Sequence, residues 1–229
     1  MNSPKTTPDT TPDTTPPSAQ LIWDAPTRVF HWLLVLCVAG AWVTAESERT
    51  KLLHLSFGYC AGALVLWRLV WGLFGSRYAR FTDFVKSPAA AWVYLRGYLP
   101  WVTGAKPHAY VGHNPAGSWA VLGLLVLLAG AVASGWWAEQ SDALEIAGEL
   151  HEALANGLLL LVGVHVLAVV ATGLLQGENL VRAMVTGRKQ AHQAQAIGSA
   201  HPLLGACVAL ATVALWLAIY TGQLPGLTA

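Results

Sequence analysis

Charge is what this sequence has least of. Only 11% of its 229 residues are Asp, Glu, Lys or Arg, against about 25% in soluble domains. That is too little to cover a water-facing surface, so a soluble globular protein is excluded. The 55% hydrophobic content needs lipid around it. A membrane helix takes about 20 apolar residues, so the chain holds a handful of spans and short loops and no sizeable soluble domain. A basic surplus is missing too: net charge is +1, which argues against nucleic acid as a partner. Cysteine is scarce. Cys37, Cys60 and Cys207 lie in apolar stretches without C-x-x-C spacing, so neither a disulfide framework nor a zinc or iron–sulfur site is indicated. What stands out instead is 11 Trp and 8 His.

Residues 1–20 are Pro/Thr-rich and repetitive, without apolar periodicity. They read as a disordered tail, and not as a signal peptide, because the apolar run begins only at Val29. Five apolar runs follow, over about 29–45, 54–75, 116–138, 150–175 and 202–220. Helix is the one spanning structure such runs can form, since lipid offers the backbone no hydrogen bonds. The expected fold is an all-α integral membrane bundle: a four-helix core over residues 21–190, then a linker and fifth helix over 191–229. Asp24-Ala25-Pro26-Thr27 and Asn114-Pro115 read as helix starts. Ser87-Pro88 does too, opening a short interfacial helix over 88–99. Trp92, Trp101, Trp119, Trp136 and Trp137 sit near span ends, as an aromatic belt would.

Lys and Arg fall mainly on one side. Arg77, Arg80, Lys86, Arg96 and Lys106 lie between spans two and three, and Arg182, Arg188 and Lys189 follow span four. The loop between spans three and four has no Lys or Arg and carries Glu139, Asp142, Glu145 and Glu149. The positive-inside rule then puts the N-terminus in the cytoplasm and the C-terminus outside.

Ionisable residues inside spans are costly and mark function. Four histidines belong to the bundle: His31, His54, His151 and His165. His151 and His165 share one helix 14 residues apart, about 21 Å along the axis and about 40° from the same facing. His31 starts span one on the cytoplasmic side, and His54 starts the antiparallel span two on the outer side. Depth alone therefore pairs His31 with His165 and His54 with His151. Two bis-histidine sites stacked across a bilayer suit two b-type haems, whose iron takes imidazole axial ligands. The alternative is satisfied core or proton-relay histidines. Gly58 and Gly62, one and two turns beyond His54, would leave room for a flat macrocycle, as would Gly40, Gly130 and Gly135, although close helix packing uses the same small-residue spacing. Haem propionates want cations: Arg28 and the intramembrane Arg68 for the inner haem, Lys51 and Arg49 for the outer. Snorkelling is the other reading of Arg68 and Arg49.

These residues resemble a known family. Trp23-Asp24-x-Pro26-Thr27-Arg28-x-Phe30-His31-Trp32, His54-x3-Gly58-Tyr59, His113-Asn114-Pro115-x-Gly117 and His151-Glu152 with His165 look like the motifs of bacterial di-haem membrane cytochromes b. That family takes in the cytochrome b subunits of nickel–iron hydrogenases and cytochrome b561-type proteins. The likeness spans roughly residues 21–190. It implies two haems b and electron transfer in the bacterial inner membrane, between the respiratory quinone pool and a redox partner. A c-type cytochrome, a hydrogenase or other oxidoreductase subunit, and a second copy of the chain all stay open as partners. Two other functions stay open: a stand-alone oxidoreductase joining a quinone to a small oxidant such as superoxide, and a haem-free anchor or transporter. His113 reads either as an aid to quinone or proton transfer or as part of a helix start.

Overall fold

The structure is a computed structural model, described for residues 16–97, 110–140 and 144–224. Most of the Pro/Thr-rich tail, Trp101, Lys106, His108, Asp142 and the end of the expected interfacial helix lie outside the described residues. Strand β1 (Ser18–Leu21) leads into α1 (Ala25–Val43) and α2 (Lys51–Phe74). Short helices α3 (Phe81–Phe84) and α4 (Pro88–Arg96) precede α5 (Pro115–Gln140) and α6 (Leu144–Gln176). Then come α7 (Leu180–Thr186), β2 (Arg188–Ala191) and α8 (Pro202–Tyr220). Helices α1, α2, α5, α6 and α8 are each long and apolar enough to cross a membrane. Their outward leucines, among them Leu160, Leu167, Leu174 and Leu203, are exposed, which lipid tolerates and water does not. The fold is thus an all-α membrane helical bundle.

The helix starts follow local chemistry. The Asp24 carboxylate accepts the Thr27 N–H at 2.8 Å, and Pro26 stands where a missing N–H costs nothing. The second Asp24 oxygen accepts the Trp71 indole N–H at 3.0 Å. One buried carboxylate thereby caps α1 and ties it to the end of α2. Asn114 accepts the Gly117 N–H at 2.6 Å, so Asn114, not His113, caps α5. Ser87 caps α4 through the Ala90 N–H.

The expected tail ends sooner than the sequence suggests. Ser18–Leu21 pairs antiparallel with Arg188–Ala191, Ser18 opposite Ala191 and Leu21 opposite Arg188. Pro17 is the last proline before α1, so the residues between them can donate to a ladder. The sheet lies at the end of the bundle where α1 begins. Gly187 turns into β2 with φ +80°, and a Cβ there would lie 2.6 Å from the Trp23 carbonyl oxygen. No residue with a side chain fits that approach.

Helices α5 and α6 form a long hairpin, while α1 packs on α2 and α8 covers both. Gly205 lets α8 close on Ala25. The α2 helix joins the halves through α5; α6 is held by α5 and has little backbone packing on α1 or α2. The four bundle histidines lie on α1, α2 and α6, the helices flanking that separation.

Candidate functional site

At the end of the bundle away from the sheet, His54 and His151 meet. Their ring centroids are 6.0 Å apart with planes at 82°. His54 Nδ1 lies 2.8 Å from the Ala41 carbonyl oxygen, and His151 Nδ1 lies 2.7 Å from that of Ala131. A carbonyl only accepts, so each Nδ1 carries the hydrogen and each Nε2 keeps a lone pair. This is the arrangement of a metal-ligating histidine held by its outer shell. Gly135 makes it possible: a Cβ there would stand 2.8 Å from His151 Nδ1. On the face of His54, Gly58 borders open space, with nothing within 4 Å of an added Cβ.

At the sheet end, His31 and His165 lie within electrostatic reach of each other. His31 Nδ1 is buried without a hydrogen-bond partner, and its ring stands edge-on to Trp32. Next to them is His113, its ring 4.9 Å from Trp23 and 4.4 Å from Phe84. Arg68 is only 3% exposed, with its guanidinium over Phe81 at 4.7 Å and near Phe84. One guanidinium nitrogen, Nη1, is buried without an acceptor. Arg68 therefore faces the interior of the fold.

The remaining sequence candidates divide. Arg28 donates to the Val185 carbonyl at 2.6 Å and to that of Asp24 at 3.3 Å, joining α1 to α7. Lys51 pairs with Glu139 at 3.0 Å and is half exposed. Gly62 faces Val132, 2.9 Å from an added Cβ, and Gly40 faces the Phe57 ring; both serve close helix packing rather than an open slot. Sequence reasoning missed the pair Lys189–Glu178, at 3.1 Å with the Lys189 side chain 5% exposed. Lys189 also donates to the Tyr110 carbonyl. In the sequence it is one more basic loop residue; only its alternation into the sheet buries it.

Burial, with Arg68 second, pushes the His113 imidazole down to about 3. The unfolded chain then binds a proton between pH 6.5 and 3 that the folded chain refuses. Stability is complete above about pH 6.5 and falls as pH drops through that window. Each unit of pKa difference is worth about 1.4 kcal/mol. Thermal melts of the detergent-solubilised protein should lose stability on the acid side, and His113→Gln should flatten that loss.

A bundle of apolar helices with histidines brought together towards its two ends defines a multi-pass membrane protein. The chain belongs to the prokaryotic cytochrome b561 family, whose model matches residues 22–187. It is thereby a b-type cytochrome, with five helices able to span a membrane. Among curated proteins it is 31% identical over 129 aligned residues to the probable Ni/Fe-hydrogenase 1 B-type cytochrome subunit of Escherichia coli K12. The same figures hold for the O157:H7 protein of that name. The alignment covers 46% of this chain and 54% of the relative, so the chain spans about half the length of the curated relatives it matches. No solved structure matches it significantly.

The residues fit the b-type haem that the family implies. Two imidazole–metal bonds of about 2 Å plus the offset of each nitrogen from its ring centre account for the 6.0 Å between His54 and His151. The open flank at Gly58 and the unpartnered Arg68 and His31 nitrogens are the further features a flat, anionic group would use.

Proposed function

We propose that the chain carries two b-type haems, His54 and His151 holding the outer one and His31 and His165 the inner one, and passes electrons between quinone and a redox partner. The observation that carries this is the His54–His151 pair, with both Nδ1 hydrogens engaged by backbone carbonyls. Bound haem supplies a one-electron couple; the protein supplies its position and its surroundings. Ala41 and Ala131 fix the ring orientation and raise the basicity of each Nε2. Arg68 offers the inner propionates a buried cation, while Arg28 and Lys51 have donors left beyond the bonds described. Gly58 lends the outer macrocycle its flank. The hydrogenase named for the relatives is the first partner to test.

Pyridine haemochrome analysis of the purified protein should give about two haems b per chain; one or none would defeat the proposal. The inner membrane with a cytoplasmic N-terminus is part of the same reading, supported by the loop cations. An alkaline phosphatase fusion after Gln140 should be active and one after Arg96 inactive. The reverse pattern would invert the bundle.

A further inference from the structure

A groove between α1 and the end of α7 lies outside the histidine sites. It is lined by Arg28, Val29, Trp32, Leu33, Leu36 and Val185 and has a volume of about 490 Å³. Arg28, Trp32 and Leu36 are four residues apart and form one stripe of α1, with Val29 and Leu33 on one flank. His31 projects from the other flank, about 160° round the helix from Val29, so the groove faces away from it. Two hydrogen bonds fix the walls. The Arg28 guanidinium donates to the Val185 carbonyl at 2.6 Å, and the Trp32 indole N–H to the Met184 carbonyl at 3.3 Å. Both carbonyls lie in the last turn of α7, where the helix itself offers no donor. A guanidinium has five donors. Arg28 uses Nε–H on the Asp24 carbonyl and one Nη1 hydrogen on Val185, which leaves donors for a ligand. The charge at the groove has one sign. Arg182, one turn before Val185 on α7, is exposed, and neither it nor Arg28 makes an ion pair among the described residues. No carboxylate lines the groove among the described residues. The Asp24 carboxylate is turned away, onto the Thr27 and Trp71 N–H groups.

We propose that this groove is a site for one anionic phospholipid, its phosphate on Arg28 with Arg182 beside it and an acyl chain laid along Leu33 and Leu36. Apolar walls alone would take any lipid tail; the arginines select the headgroup. Guanidinium–phosphate pairs are charge-assisted and often bidentate, and basic pockets between membrane helices bind anionic headgroups. A zwitterionic lipid brings an ammonium for which the lining has no carboxylate. A quinone brings no charge for the arginines to meet. The lipid site is independent of how many haems the chain carries.

Native mass spectrometry of the full purified chain tests this, after the protein is stripped of lipid in detergent and titrated with phosphatidylglycerol, phosphatidylcholine or a short-chain ubiquinone. One phosphatidylglycerol should bind about tenfold more tightly than phosphatidylcholine, the scale of one charge-assisted hydrogen bond. Arg28→Gln should erase that preference. Leu36→Trp fills the groove from an exposed position and should weaken phosphatidylglycerol binding while Arg28 stays in place. It decides the matter if Arg28→Gln fails to fold. Leu167→Trp, on the exposed face of α6, should change nothing; an equal loss there would mean a general lipid shell and no site. Equal binding of the two lipids would overturn the proposal, as would a preference that survives Arg28→Gln or Leu36→Trp, or displacement of phosphatidylglycerol by the quinone. Glycerol 3-phosphate has the anion without the acyl chains and should not compete. If it does, the arginines bind free phosphate esters and the lipid assignment falls.

Discussion

His31→Ala and His165→Ala are each expected to lose the same haem, and His54→Ala and His151→Ala the other. Every single variant should keep about half the haem, with one residual spectrum shared within each pair. The reason is distance. The two histidines of α6 are about 21 Å apart by helix rise, so removing one ligand leaves the other site's surroundings in place. The double variant His54→Ala/His151→Ala should be no worse than either single one, whereas His31→Ala/His151→Ala should be colourless. Redox titration and haem content of these variants check the pairing. A residual spectrum shared by His31→Ala and His151→Ala would mean that the rings pair differently in the assembled protein. The His54 and His151 rings meet at 6.0 Å, and His31 and His165 lie within electrostatic reach of each other.

Much of this arrangement is legible in the sequence because membranes simplify the problem. Apolar run length gives the five spans, and alternation of direction then gives the depth of every histidine. Depth pairs His54 with His151, whose rings lie 6.0 Å apart in the structure. Capping was legible for a similar reason, since Asp24, Ser87 and Asn114 act within three residues of themselves. What the sequence hides are contacts between distant segments. Nothing local marks Ser18–Leu21 as a strand, because its partner lies after α7. Nothing marks Lys189 as buried, because its burial is a consequence of that pairing. The glycines show the same limit. Gly40, Gly58, Gly62 and Gly135 read alike in the chain, yet Phe57, open space, Val132 and His151 face them respectively.

That difference among glycines yields the second large effect, loss of the outer haem without touching a ligand. Gly135→Ala places a methyl 2.8 Å from His151 Nδ1. It must push the imidazole off the Ala131 carbonyl, which now holds it at 2.7 Å. Loss of such an orienting bond costs about 10- to 100-fold in affinity at metal sites, so the outer haem should bind weakly or dissociate on purification. Gly58→Leu acts by another route. The position opens onto space in which a leucine meets nothing within 4 Å of its Cβ, and leucine favours a helix over glycine by up to about 1 kcal/mol. The haem-free chain should therefore melt no lower than the unaltered one. The holoprotein should nevertheless lose its outer haem, because the side chain fills the flank that the macrocycle needs. Both variants should keep the inner couple and its midpoint. If Gly58→Leu retains two haems per chain, the open space beside His54 serves something other than haem; if the inner couple disappears as well, the two sites assemble together and the glycines report on the bundle.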